Sequence, residues 1–298
     1  MLSKKRREKW VTRLATPNGE FGRHSSSLMN ELKGEIAKDG VSALVDHLRQ
    51  CGAIPESYGH DSSEEKLYSK YTDSILSLAF QTMGMSSLVL SERADAADVE
   101  CVAKGFSFVA DAKAFRLSRT AKNQKDFKVQ AMHGWKRGKP FAMVVAPLYQ
   151  LPSSSSQIYE QAATRSVCIF SYSHLAMMVE FAQGTGKTKA VPLLHEVFKT
   201  VEALHPGKSA ANYWLPLNRL ILEFHPSLRG LWEKEKLAAA ESVVAAREEA
   251  LTYLMRERER LMGLSKDAAI AELIRLQKLD SREKVIRSVS DNGLLNLH

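Results

Sequence analysis

The chain has 298 residues, 44% of them hydrophobic and 26% charged, with a formal net charge of +8. That is an ordinary globular composition, long enough for one large domain or two smaller ones with a sizeable core. The positive balance points to an anionic partner, with nucleic acid ahead of an acidic protein or a membrane surface.

Cys51, Cys101 and Cys168 are odd in number, far apart and without C-x-x-C spacing. This argues against a disulfide framework or a zinc site and for a reducing, intracellular setting. The opening MLSKKRREKWVTR is basic with no apolar core behind it, unlike a secretory signal. No apolar run approaches the roughly 18 residues that a membrane helix needs. A soluble, cytoplasmic protein with no membrane association is expected.

In chain order, the basic segment up to about Ser27 reads as an arm, either frayed or in contact with phosphates. Helical patterns follow at 28–38 and 41–51, split by Asp39-Gly40 and closed before Pro55. Ser62-Ser63-Glu64-Glu65 has capping-box spacing, and Leu67, Tyr71, Ile75 and Leu78 recur near helical period, predicting a long helix over Ser63–Met83. Residues 98–103 and 106–113 are strand-like and joined by Lys104-Gly105. FAMVVA (Phe141–Ala146) and VCIF (167–170) are apolar enough for buried strands. A Ser-rich turn and a helical pattern at 157–163 lie between those two strands, which implies a right-handed parallel crossover. A helix at 173–181 follows. From about Pro192 the signal is nearly all helical. Residues 231–262, free of Pro and Gly, predict a helix of about 50 Å, and Ser265 and Asp280-Ser281 look like caps for two shorter ones.

The expected fold class is α/β: a mixed sheet core flanked by helices, with a helical C-terminal region. The expected organisation is one integrated subunit made of a basic arm and N-terminal helices (1–60), a catalytic core (61–185) and the helical region (186–298).

Chemistry concentrates at the hairpin. If Lys104-Gly105 is a two-residue turn, Ala103 pairs with Phe106, Cys101 with Phe108, and Asp98 falls opposite Asp111. Directly paired residues have Cβ atoms about 4.5–5.5 Å apart, and like charges so placed destabilise a sheet. A divalent cation offsets that repulsion, and Mg²⁺ suits one or two carboxylates plus water and phosphate. Lys113 lies on the same face as Asp111 and Glu100, where an ammonium favours hydroxide and developing phosphorane charge. The matching reaction is in-line hydrolysis of a phosphodiester. A surface salt-bridge cluster of Asp98, Asp111 and Lys113 is the alternative reading.

Beyond the hairpin, Arg116, Arg119, Lys122, Lys125 and Lys128 recur every third residue. Ser118 or Thr120 would cap a helix running to Trp135, on which the five cations form one drifting stripe suited to DNA phosphates. Asn123, Gln124 and Asp126, interleaved with them, offer donors and acceptors suited to base edges.

VADAKAFRLSRTAKNQKDFKV, residues 109–129, resembles the HindIII type II restriction endonucleases almost residue for residue. The likeness extends through GAIPES (52–57), EKLYSK (65–70), SERADAADV (91–99) and APLYQLPSSSSQI (146–158), and fades in the basic N-terminus and the C-terminal third. That family belongs to the PD-(D/E)xK nucleases, so the resemblance implies a restriction-endonuclease-like fold. It also implies a Mg²⁺-dependent homodimer, with Mn²⁺ able to substitute, cutting both strands of a palindromic double-stranded DNA site, AAGCTT or a close relative. Asp111 and Lys113 match the (D/E)xK pair, Asp98 matches the preceding acidic residue, and Glu92 matches a helix carboxylate near the family's active site. Catalytic roles are therefore implied for Asp111, Lys113, Asp98 and Glu92, and metal ligation for Asp98, Asp111 and Glu92. DNA contact is assigned to Arg116, Ser118, Arg119, Lys122, Asn123, Lys125, Asp126 and Lys128, the last two by a second D-x-K. Ala97 stands where the family's motif has Pro, which leaves either Asp98 or Glu92 as the principal second carboxylate.

Two other functions fit the same resemblance: a non-catalytic DNA-binding protein on this fold, and a repair or junction nuclease. Gly184-Thr185-Gly186-Lys187-Thr188 approaches a P-loop, but Phe181 stands where the pattern needs Gly. A flexible linker is expected there, and no nucleotide cofactor. His195-Glu196 lacks the second His of a zinc-protease pattern because position 199 is Lys.

Overall fold

The computed structural model describes residues 2–15, 21–90, 96–119 and 124–288. It divides into two compact units, Met1–Ala250 and Leu251–His298. In the first, α1 (Leu2–Ala15), α2 (Phe21–Asp39) and α3 (Val41–Gln50) lead to α4 (Ser63–Met83). The Ser62 hydroxyl accepts the Glu65 N–H at 3.2 Å to start α4, and Gly84 ends it in the left-handed region. Leu67, Tyr71, Ile75 and Leu78 are all buried, as the helical spacing predicts.

The sheet comprises β1 (Ser86–Val89), β2 (Val99–Ala103), β3 (Phe106–Ala112), β4 (Phe141–Ala146) and β5 (Val167–Ser171), in the order β1-β2-β3-β4-β5. The first three strands are antiparallel, and β3, β4 and β5 run parallel. The mixed α/β core expected from the sequence is what forms. Every side chain of β4 is buried, as a central parallel strand covered on both faces requires. α7 (Gln157–Arg165) makes the crossover from β4 to β5.

Aromatic packing fixes the layer behind β3. Phe80 of α4 meets Phe108 edge-on at 5.0 Å, and Phe198 of α9 (Lys187–Ala203) stacks on Phe141 at 4.8 Å. The free edge of β5 is closed by Tyr213 of α10 (Ala210–Phe224), whose hydroxyl accepts the Ile169 N–H at 2.7 Å and donates to the Ile169 carbonyl at 3.0 Å. Such cover keeps an edge strand from pairing with other chains.

Four expectations are corrected. The basic N-terminus is not a free arm over its described part: α1 buries Trp10 and Leu14. Its Arg7 donates to both carboxylate oxygens of Glu249 and to the carbonyls of Gln50 and Ala53. The helix expected from Ser118 or Thr120 to Trp135 is not continuous. α5 (Gln124–Phe127) and α6 (Val129–Trp135) are separated by Lys128 at φ 49°, and residues 116–119 are not helical. No linker separates α8 (Tyr172–Thr185) from α9, because the two helices abut at Gly186. β1 forms where no strand was expected; its Ser87 is buried and hydrogen-bonded to Ser77 and Cys101.

The long helix is α11 (Ser227–Met262). In the second unit it is followed by α12 (Lys266–Leu276), capped by Ser265 as expected, and α13 (Leu279–Ser288), which starts one residue before the expected Asp280-Ser281 cap. Among the described residues no helix is long and apolar enough to cross a membrane.

Candidate active site

The site is built on the β2–β3 hairpin. Gly105, at φ 94°, supplies the left-handed turn residue, and Ala103 pairs with Phe106, Val102 with Ser107, Cys101 with Phe108 and Val99 with Ala110. One step further brings Asp98, just before β2, to Asp111, and their carboxyl groups share a hydrogen bond. The main chain at Asp98 is fixed from the other side, where its carbonyl accepts the Leu90 N–H at 2.8 Å. The opposed carboxylates inferred from the turn are therefore present.

Asp111 is buried, and its Oδ2 meets the Nζ of Lys113, itself only 12% exposed. That oxygen has no hydrogen bond of ordinary geometry. Lys113 is held through its backbone: its N–H donates to Val145 of β4 at 2.8 Å, and its carbonyl accepts the Tyr172 hydroxyl at 3.0 Å. Glu100, expected on the same face, pairs instead with Lys139 at 3.1 Å.

A third carboxylate escaped the sequence reading. Asp73, in the middle of α4 and 2% exposed, lies within electrostatic reach of both Asp98 and Asp111. Its nearest cation is Lys70, at 3.9 Å. Burial, then the Asp98 and Asp111 charges, hold the Asp73 carboxyl well above the usual range. Burial and the hydrogen bond and charge of Asp111 push Asp98 up to about 7. Burial also works against ionised Asp111, but Lys113, the Asp98 hydrogen bond and Lys128 outweigh it and keep the group below its ordinary value. The result is one firmly ionised carboxylate between two reluctant ones, which is how closely packed acids divide their protons. The sequence signal for Asp73 was an acid three residues before Leu76 and seven before Phe80, on a helix face whose other members are buried.

The segment after Lys113 is pinned rather than helical. Phe115 donates to the Gly52 carbonyl at 3.0 Å and accepts from Ile54 at 3.1 Å. A side chain at Gly52 would place its Cβ 2.6 Å from that of Pro147, so only glycine allows this approach. Arg116 donates to Glu65 at 2.7 Å and to the carbonyls of Tyr58 and Gly59 at 2.8 and 3.0 Å. The Ser118 N–H and hydroxyl both donate to Glu56, at 2.9 and 2.7 Å. Arg119 pairs with Asp126 at 2.5 Å and lies over the Phe115 ring at 5.0 Å. Lys128 lies over Trp135 at 5.4 Å and adds positive potential at Asp111.

The five cations therefore do not form a single helical stripe. Arg116 and Arg119 precede the helices, Lys125 is in α5, and Lys128 is the break. Glu92, Lys122 and Asn123 lie outside the described residues. Among the described residues His60, Asp61 and Glu65 also bring ligand-type atoms within 4.8 Å of one another. Glu65 there is committed to Arg116 and to the Asp61 N–H at 2.7 Å, so the group reads as a reinforced start to α4.

The chain is similar to the type II restriction enzyme HindIII of Haemophilus influenzae, 41% identical over 165 residues, which are 55% of this chain and 54% of that enzyme. The match thus spans about half the length of the curated relative. A family model described as HindIII restriction endonuclease matches residues 8–290, which takes in the hairpin, Asp73, the pinned segment and most of the helical region, and the chain belongs to the HindIII restriction endonuclease family.

Proposed function

We propose that this chain is a Mg²⁺-dependent type II restriction endonuclease, hydrolysing phosphodiester bonds in both strands of a short palindromic DNA site, AAGCTT or a close relative. The observation that carries this reading is the opposed carboxyl pair Asp98 and Asp111 beside Lys113, in a chain of this family. Two carboxylates bonded to each other need a proton between them, and a hard divalent cation satisfies the same oxygens without it. The donor set is all oxygen, which suits Mg²⁺, with Mn²⁺ able to substitute.

Asp98 and Asp111 would hold the ion, with Asp73 and Glu92 as the further carboxylates. When bound, the cation supplies Lewis acidity toward the scissile phosphate and lowers the cost of deprotonating water. Lys113 places positive charge where negative charge accumulates on phosphorus-bound oxygens in the transition state. Desolvation by the buried surroundings of Asp111 strengthens that interaction.

DNA contact is assigned to the segment from Arg116 to Lys128. Within it, Arg116 and Ser118 anchor the segment to residues 56–65. Arg119, Lys122, Asn123, Lys125, Asp126 and Lys128 meet phosphates and base edges. A palindrome has two-fold symmetry, so two copies each cutting one strand form the working unit. Buried thiols and a DNA substrate suit a cytoplasmic protein.

Sequencing the ends of plasmid fragments produced in Mg²⁺ tests the reading. A single palindromic consensus at every end supports it. Ends without a consensus indicate a structure-directed nuclease, and binding without any fragments indicates a DNA-binding protein; either overturns it.

A further inference from the structure

The second unit has apolar stripes but no core. From Leu251 to Ser288 none of the described side chains is buried, and α12 has no buried residue at all. Yet Leu251, Leu254, Met255 and Met262 recur at i, i+3, i+4 and i+11 on the last turns of α11, the spacing of one helix face. α12 repeats the pattern with Ile270, Leu273 and Ile274, and α13 with Leu279 and Ile286 seven residues apart. Eleven large apolar side chains between 251 and 286 are 38–81% exposed.

We propose that this face is where a second copy of the chain docks. Eleven such side chains present on the order of 1,000 Å² of apolar area, beyond the few hundred Å² of the largest patch on an ordinary monomer and near the roughly 800 Å² that each partner buries in a stable complex. The charges beside the face suit an identical partner better than a polyanion. Arg256, Glu257, Arg258, Glu259 and Arg260 alternate in sign. Arg260 pairs with Glu257 at 2.6 Å and with Glu272 at 3.0 Å, and Arg275 pairs with Glu272 at 2.7 Å. A rim carrying both signs in alternation is complementary to itself across a two-fold axis. The inference locates the contact for the two-copy unit proposed above and rests on that reading.

Light scattering on the full-length chain tests it, comparing wild type with Leu254→Lys/Ile274→Lys and, at other positions of the same two stripes, Leu251→Glu/Leu273→Glu. The replaced side chains are exposed, so the circular dichroism of both variants stays near wild type, while the melting temperature loses the concentration-dependent part that dimerisation adds. Wild type runs as a dimer, and both variants weaken self-association on the order of 100-fold and run as monomers. A wild type that stays monomeric at tens of micromolar, leaving the face to another protein, overturns the proposal. So does dimerisation that survives both double substitutions. If the wild type dimerises through this face but never cuts DNA, the docking stands and the nuclease reading falls. Cutting by a dimer that both variants preserve does the reverse.

Discussion

The hydroxyl of Tyr172 donates to the main-chain carbonyl of Lys113 at 3.0 Å, tying the first residue of α8 to the residue that follows β3. Tyr172 is 3% exposed, and burial, with the neighbouring Cys51 thiol next, holds its phenol well above the ordinary value, so it remains a donor. Removing that donor leaves the carbonyl short of a partner in a buried setting, at a cost of about 1–3 kcal/mol. Tyr172→Phe should therefore slow single-turnover cleavage by about tenfold through loss of Lys113 placement, with DNA affinity unchanged. A variant that cuts at the wild-type rate removes Tyr172 from the account.

Asp73 is the carboxylate that the hairpin does not explain. If it belongs to the cluster, Asp73→Asn lowers the cleavage rate on the order of 100-fold or more and raises the Mg²⁺ concentration needed for half-maximal rate. The thermal melt of the metal-free protein should not fall, because the substitution removes a buried acid crowded by two others. A destabilised variant with an unchanged metal requirement would make Asp73 a structural residue. Glu92→Gln, measured beside it, shows which of the two supplies the further metal ligand.

Arg7 joins α1 to the rest of the unit. Its guanidinium serves Glu249, Tyr68 and two carbonyls, and its side chain is 10% exposed. Glu249 is 37% exposed, so the pair itself counts for less than a buried one, but leaving the Gln50 and Ala53 carbonyls short of a donor costs about 1–3 kcal/mol. Arg7→Ala should lower the urea midpoint accordingly, whereas Lys4→Ala at the same end should leave it unchanged.

His174 gives stability a pH dependence with a definite sign. Its Nε2 donates to Asn218 at 3.1 Å, its Nδ1 accepts from Ser171 at 2.6 Å, and its ring stacks on Trp214 at 5.3 Å. Burial pulls its pKa down to about 4, against 6.5 for the free side chain. Above pH 6.5 both folded and unfolded states are neutral here and the contribution is complete. As pH falls from 6.5 towards 4 only the unfolded state takes up the proton, so stability declines, by on the order of 3 kcal/mol in full. The difference in urea midpoint between wild type and His174→Gln, followed from pH 7 to pH 4.5, should shrink with acid. A difference that does not change with pH contradicts the assignment.

How much of this was legible depended on how local the signal was. The hairpin register followed from two residues, Lys104-Gly105, because a tight turn leaves one pairing. α4 and β4 were readable from a cap and from an uninterrupted apolar run. The break at Lys128 was not, because i+3 cation spacing looks the same on one helix or two. The deciding fact is that Phe127 and Val129 are both buried. Residues two apart on a continuous helix point about 200° away from each other, so both reach the core only if the chain turns between them. α1 was hidden by its basic composition, with Trp10 and Leu14 as its buried apolar anchors among the described residues. Asp73 belongs to the cluster through tertiary contact alone, 25 residues before Asp98 in the sequence.

The most direct test of the central claim, that Asp98, Asp111 and Lys113 form a metal-dependent nuclease centre, is to measure cleavage and binding of the same duplex in parallel for wild type, Asp111→Ala and Lys113→Ala. Binding is read in Ca²⁺ and cleavage in Mg²⁺. Cleavage should fall on the order of 1,000-fold or more in both variants while binding stays within a few fold of wild type. Either variant cutting at the wild-type rate, or wild type binding the duplex and leaving it intact in Mg²⁺ and Mn²⁺ alike, contradicts the claim.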